Sequence, residues 1–236
     1  MKLLATLLIG AACVAGAPAH AQREVERTTG SNIPVPKRGR IPDSVSYSEA
    51  DRGRIAAAGV ARCIVDSAPD KVKTALSLPF GKELNKTLAA LAAEDCLSTG
   101  EVHYSATLFR GALFAELWRR RVAAEAKGQS WGPALDAYDP SLPVAADADP
   151  ATKQQLGLLW FADCIVKRDR AAANDVVVRP IASKEQAEAY TRLIPNLSPC
   201  LLQGQEVKFS KPVLEGVLAA VLYRAPAAPK TVSGVQ

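Results

Sequence analysis

Histidine and methionine are almost missing from this 236-residue chain, which has two His and one Met. One of the two, His20, lies in an N-terminal segment that reads as removable, so a histidine-based triad or general base would have to use His103. No G-x-S-x-G elbow accompanies it. There is no C-x-x-C, and with a single remaining histidine a zinc site is excluded. Phosphate loop, dinucleotide fingerprint and haem Cys-x-x-Cys-His are likewise missing, which removes the common nucleotide and haem cofactors. Asp147 and Asp149 lack the loop glycine and distal glutamate of an EF-hand. No cofactor and no metal are therefore expected. Net charge is only +5, an ordinary balance without a nucleic-acid-binding motif.

Long apolar runs are also scarce. Lys2 precedes an apolar stretch from Leu3 to Val14, about a dozen residues against the roughly 20 that a bilayer core needs. Ala19-His20-Ala21 follows as a small-x-small cleavage site, so residues 1–21 read as a secretory signal cut after Ala21. Cys13 does not make a lipobox, because Gly10 stands where an aliphatic residue is wanted. The expected mature chain has no transmembrane segment and is periplasmic or secreted. Residues 22–47 set Arg23, Arg27, Lys37, Arg38 and Arg40 among Pro34, Pro36 and Pro42, the composition of a flexible basic arm.

What is present is said nearly twice. Cys63-Ile64-Val65 returns as Cys164-Ile165-Val166, and Cys96-Leu97 as Cys200-Leu201. Gly100 to Ser105 corresponds to Gly204 to Ser210, and the run Gly111 to Arg119 to Gly216 to Arg224, with Gly, Leu, Ala, Leu, aromatic and Arg in step. The offset, about 101 residues at the first cysteine and about 105 at the closing run, is too long for a solenoid repeat and marks duplication of a small domain. With Cys13 removed, four cysteines remain in an oxidising compartment and allow three pairings. Duplication selects Cys63 with Cys96 and Cys164 with Cys200, since each copy would have closed its own bridge.

Helical periodicity dominates both copies. In residues 51–66, Ile55, Ala56, Gly59, Val60, Cys63 and Ile64 form one stripe, and Asp51, Arg54, Arg62 and Asp66 an opposite, solvated one. Ser48 with Asp51 marks its start. The second copy repeats the helix from about Thr152 to Lys167. Short helices follow from Pro69 and near Asp169–Val178, then third helices over Lys82–Glu94 and Ser183–Ile194, the latter with capping-box spacing at Ser183 and Gln186. Ser105 and Ser210 are placed to cap the fourth helices. The fourth helix of the second copy carries the stripe Val213, Leu214, Val217, Leu218, Val221 and Leu222. Glu101–Tyr104 and Glu206–Phe209 alternate as brief strands would. The expected fold is all-α: two tandem homologous four-helix units, residues 48–121 and 151–224, each closed by one disulfide. Residues 122–150 read as a linker and 225–236 as a disordered tail.

Candidate chemistry is thin. Glu116 corresponds to Val221 on the buried stripe, so a desolvated carboxylate acting as an acid is conceivable there, but Arg120 four residues on is placed to pair with it. Glu94 with Asp95, and Glu185 with Glu188, read as solvated helix faces rather than a glycosidase pair. Arg119-Arg120-Arg121 is a possible anion site, against which stands the preference of cations for a helix C-terminus. Gly111 and Gly216 interrupt helices at a cost of about 1 kcal/mol each relative to Ala, which points to close approach of the two fourth helices.

The doubled cysteine pattern, with Arg110-Gly111-Ala112-Leu113 leading to Leu117-Trp118-Arg119, resembles uncharacterised exported proteins of alphaproteobacteria such as sphingomonads, over roughly residues 50 to 224. The second copy departs at Glu215, where the first has Arg110. The resemblance implies an exported helical protein and no assigned activity. With no coherent set of nucleophile, base and metal ligands, the expected function is noncatalytic: binding an envelope protein or ligand. The alternatives are a carboxylate-dependent hydrolase of cell-wall or other periplasmic substrate, with Glu116 as its acid, and a periplasmic inhibitor or immunity-type protein.

Overall fold

The computed structural model describes residues 47–92, 96, 105–131, 135–136, 148–201 and 210–225. Among these residues regular structure is entirely helical. In chain order the helices are α1 (Glu49–Ser67), α2 (Pro69–Ser77), α3 (Lys82–Ala92), α4 (Ala106–Ala126), α5 (Pro150–Arg168), α6 (Arg170–Val178), α7 (Lys184–Leu193) and α8 (Lys211–Arg224). Two 3-10 turns, Ile194–Asn196 and Ser198–Cys200, follow α7. The signal segment, the basic arm as far as residue 46, both strand-like phrases, His103 and the tail from residue 226 lie outside the described residues.

Most helix starts carry the side-chain caps that their sequences call for. Ser48 Oγ accepts from Asp51 N–H at 3.1 Å and Ser105 Oγ from Leu108 N–H at 3.3 Å. Ser210 occupies the N-cap position of α8, but its side chain makes no capping bond there. Ser183 Oγ accepts from the Gln186 N–H at 3.1 Å. The reciprocal half of that capping box does not form, because Gln186 Oε1 takes the N–H of Ala182 instead. Asp149, weighed above as a calcium ligand, caps α5 by accepting from Thr152 N–H at 3.0 Å and Thr152 Oγ1 at 2.7 Å. These bonds to Thr152 hold its carboxyl below the usual carboxylate range.

Two disulfides form, Cys63–Cys96 and Cys164–Cys200, with Cα separations of 5.6 and 5.7 Å. They tie α1 to the segment after α3, and α5 to the 3-10 turn after α7. The sequence separations of 33 and 36 residues correspond to about 3 to 4 kcal/mol each in the chain-entropy model.

The described helices belong to one unit, residues 41–236, around a continuous hydrophobic core. Its centre is the pair α4 and α8. In α8 every residue from Leu214 to Tyr223 is buried, so the helix is enclosed on all sides rather than along a single stripe. That is the condition of a helix surrounded by others, here α4, α5 and α6. In α4, Phe109 to Trp118 is buried with only Ala112 partly open. The helix then continues to Ala126, five residues into the stretch read as a linker.

Gly111 and Gly216 meet where α4 and α8 cross. A Cβ built on Gly111 would stand 2.8 Å from the Gly216 Cα, and one on Gly216 would stand 2.6 Å from the Gly111 Cα. Backbone touches backbone, and the roughly 1 kcal/mol that each mid-helix glycine costs is spent on that approach. Substituting Ala at Gly111 or Gly216 is expected to destabilise by about 1–3 kcal/mol through overpacking. Gly157→Ala, on α5 with nothing within 4 Å of the added Cβ, is expected to stabilise by about 0.5–1 kcal/mol. Urea unfolding of the three variants checks both signs.

Candidate functional site

Along α1 the buried positions are Arg54, Ala61, Ile64 and Val65, so the inward face is rotated from the stripe read in the sequence. Arg54, assigned there to the solvated face, is buried. Alanine at positions 56, 57, 58 and 61 leaves the periodicity weak, and what turns the helix inward at its start is a polar partner. Arg54 Nη2 donates to Glu215 Oε2 of α8 at 2.7 Å and to Gln186 Oε1 of α7 at 2.8 Å, while Nη1 reaches Asp51 Oδ1 at 3.0 Å.

Glu215 is the centre of this cluster. Its other oxygen, Oε1, accepts from Arg119 Nη2 of α4. One buried carboxylate thus lies between two guanidiniums from α1 and α4. Gln186, only 1% exposed, supports the arrangement: its Oε1 accepts from Arg54 and from Ala182 N–H, and its Nε2 donates to Val176 O at 3.0 Å. Tyr190 lies alongside and donates its hydroxyl to Lys211 O at 3.1 Å. Burial, and then the Glu215 carboxylate, push the Tyr190 phenol well above its ordinary value. Burial alone would lower the Arg54 guanidinium, but its bonds to Glu215 reverse the sign and leave it raised.

The run Arg119-Arg120-Arg121 is not at a helix C-terminus, since α4 continues for five residues beyond it; the dipole explanation therefore does not apply to it. Each arginine has its own partners. Arg119 Nε donates to Val177 O at 2.8 Å, at the end of α6. Arg120 Nε donates to Glu116 Oε1 at 2.8 Å, and its Nη1 pairs with Asp66 at 2.7 Å. Arg121 bonds Glu125 at 2.8 Å and Tyr223 O at 3.2 Å. Glu116 is buried as its stripe position implies, and it is held by Arg120, with Arg62 at 3.8 Å. Glu185 and Glu188 are exposed on α7. His103, Glu94, Asp95 and Asp147 lie outside the described residues, and no metal-ligating cluster occurs among the described ones.

Arg224 makes the counterpart of the Arg119 contact. Its Nη2 donates to Leu76 O at 2.7 Å, at the end of α2. Orphan carbonyls at a helix C-terminus accept from a cation readily. Here each nine-residue helix, α2 and α6, is closed by an arginine from the other half of the chain.

A second buried arginine has no carboxylate partner among the described residues. Arg110, on α4 and 6% exposed, places its guanidinium carbon 4.2 Å from the Phe80 ring centroid and 5.1 Å from that of Phe114. Its Nε is buried without a hydrogen-bond partner, as is the Nε of Arg224, whose guanidinium carbon lies 5.4 Å from the same Phe114 ring. Burial, reinforced by the charge of Arg224, pushes the Arg110 guanidinium down to about 9. The sequence singled out neither Arg54 nor Arg110 as a site. The available signal was a mismatch just before the parallel run, Arg110 against Glu215.

Breaking the paired cluster has a large expected effect. Glu215→Gln removes the carboxylate shared by Arg119 and the buried Arg54, which keeps only Asp51, and is expected to cost about 3–5 kcal/mol. Glu116→Gln, whose partner Arg120 is partly solvated, is expected to cost about 1–3 kcal/mol. Chemical denaturation of both variants against the parent checks the ranking; equal and small losses would contradict it.

Comparison with family models, with curated proteins and with solved structures finds no match for this chain.

Proposed function

We propose that the protein is an exported, noncatalytic binding or interaction module of the cell envelope. The observation that carries this reading is the state of the two buried carboxylates among the described residues, Glu116 and Glu215. Each is engaged by arginine at hydrogen-bonding distance, the arrangement of a structural ion pair. Two disulfides suit an oxidising compartment. Among the described residues no helix is long and apolar enough to cross a membrane. The hydrolase alternative rests on Glu116 and draws less support, because Arg120 occupies its carboxylate.

The same reading takes residues 48–121 and 151–224 as two copies of one four-helix unit. Its support is threefold. Helix lengths run 19, 9, 11 and 21 residues, then 19, 9, 10 and 14. Each bridge joins the first helix of a set to the segment after its third. The contacts are also reciprocal: Arg119 reaches Val177 O, Arg224 reaches Leu76 O, and Gly111 faces Gly216. Reciprocity of this kind is the mark of an isologous interface, so an ancestor that paired as a twofold dimer accounts for a single shared core.

Immobilised protein incubated with a solubilised envelope fraction is expected to retain one component that free protein competes away. Retention of nothing above a denatured control would contradict the binding reading. A hydrolytic activity on cell-wall material that Glu116→Gln abolishes, with folding intact, would establish the hydrolase instead.

A further inference from the structure

In register, Gly111 and Gly216 align Arg110 with Glu215 and Arg224 with Arg119. Around Glu215 one carboxylate bridges Arg54 and Arg119, and Arg119 uses its Nε to close α6, while the Nε of Arg54 is itself buried without a hydrogen-bond partner. Around Arg110 the described residues supply no such anion. Arg224 uses Nη2 to close α2, yet its Nε is buried and unbonded. The Nε of Arg110 is also buried and unbonded. Both guanidiniums lean on one ring, Phe114. Among the described residues no carboxylate forms an ion pair with either. Asp136 acts on Arg224 from a distance without pairing with it.

Two like charges sharing a desolvated position repel each other. A buried donor left unsatisfied costs about 1–3 kcal/mol, more where the group is charged. Stacking on Phe80 and Phe114 offsets part of this, about 2 kcal/mol for a desolvated cation–π contact. It does not give the Nε–H groups a hydrogen-bond acceptor. Phe80 and Arg224 are both partly exposed, so the position can be reached from solvent.

We propose that Arg110 and Arg224, with Phe80 and Phe114 as walls, form a binding site for the carboxylate group of a ligand, which would stand between the two guanidiniums as Glu215 stands between Arg54 and Arg119. The proposal rests on the binding-module reading and supplies the chemistry of what is bound. A carboxylate is favoured over other anions because the molecule already uses one for the same task in the other half. The flanking rings add preference for an apolar or aromatic group next to that carboxylate.

The test is a titration of 15N-labelled protein with sodium acetate, sodium phenylacetate, sodium phosphate and sodium chloride at matched ionic strength, following the arginine Nε–Hε signals. Saturable shifts of the Arg110 and Arg224 signals with acetate, tighter with phenylacetate, are expected, while those of Arg54 and Arg119 stay in place. Arg110→Met, which keeps bulk between the rings, is expected to weaken phenylacetate at least about tenfold. Arg110→Lys, which keeps the charge, serves as the second variant should the Met form fold poorly, and is expected to retain part of the affinity. Saturation by phosphate alone would overturn the carboxylate assignment. Shifts no greater than chloride produces, or an unchanged affinity in both variants, would overturn the site. If the site fails while an envelope component is still retained by parent and Arg110→Met alike, the anion site falls and the binding module stands.

Discussion

The contact between Gly111 and Gly216 sets the geometry of the molecule. With no Cβ at either position, α4 and α8 approach until their backbones touch, closer than helices bearing side chains at the contact can pack. Large residues on either side, among them Phe114, Leu117, Leu218, Leu222 and Tyr223, then fill the space around the crossing and are themselves almost fully buried. The tilted contact of Phe114 with Tyr223, centroids 6.1 Å apart, is one consequence. The remaining helices lie around this pair, and one core runs through both halves of the chain.

That proximity also explains the placement of charge. Because α4 and α8 lie against each other, an arginine eight residues after the glycine of each reaches the other half and closes a short helix there: Arg119 at α6 and Arg224 at α2. One residue before the crossing glycines the two helices differ. Glu215 brings a carboxylate that Arg54 and Arg119 neutralise, whereas Arg110 brings a second cation beside Arg224. The glycine contact and reciprocal caps treat the halves alike; the charge beside the glycines does not.

Local signals in the sequence were legible where they depend on short-range physics. The caps at Ser48, Ser105 and Ser183, the helix start after Pro69, the two bridges and the meaning of two mid-helix glycines could all be read. Failures came where tertiary contacts decide. Alanines around the whole of α1 hide which face is inward, and Arg54 is drawn in by Glu215, about 160 residues away in the chain. The extension of α4 to Ala126 runs through helix-forming alanine and glutamate with no breaker among them; the first glycine that ends the helix is Gly128, at φ 71°. The position of greatest chemical interest was visible only as a mismatch between Arg110 and Glu215, and a mismatch does not say which side chain lacks a partner.

Native-state hydrogen exchange tests the central claim, that α4 and α8 form one core, most directly. Amides of α4 from Phe109 to Trp118 and of α8 from Leu214 to Tyr223 are expected to exchange last, with a common free energy of opening equal to that of global unfolding. Exchange of one helix through a separate, lower-energy opening while the other stays protected would show two independent cores and contradict the account.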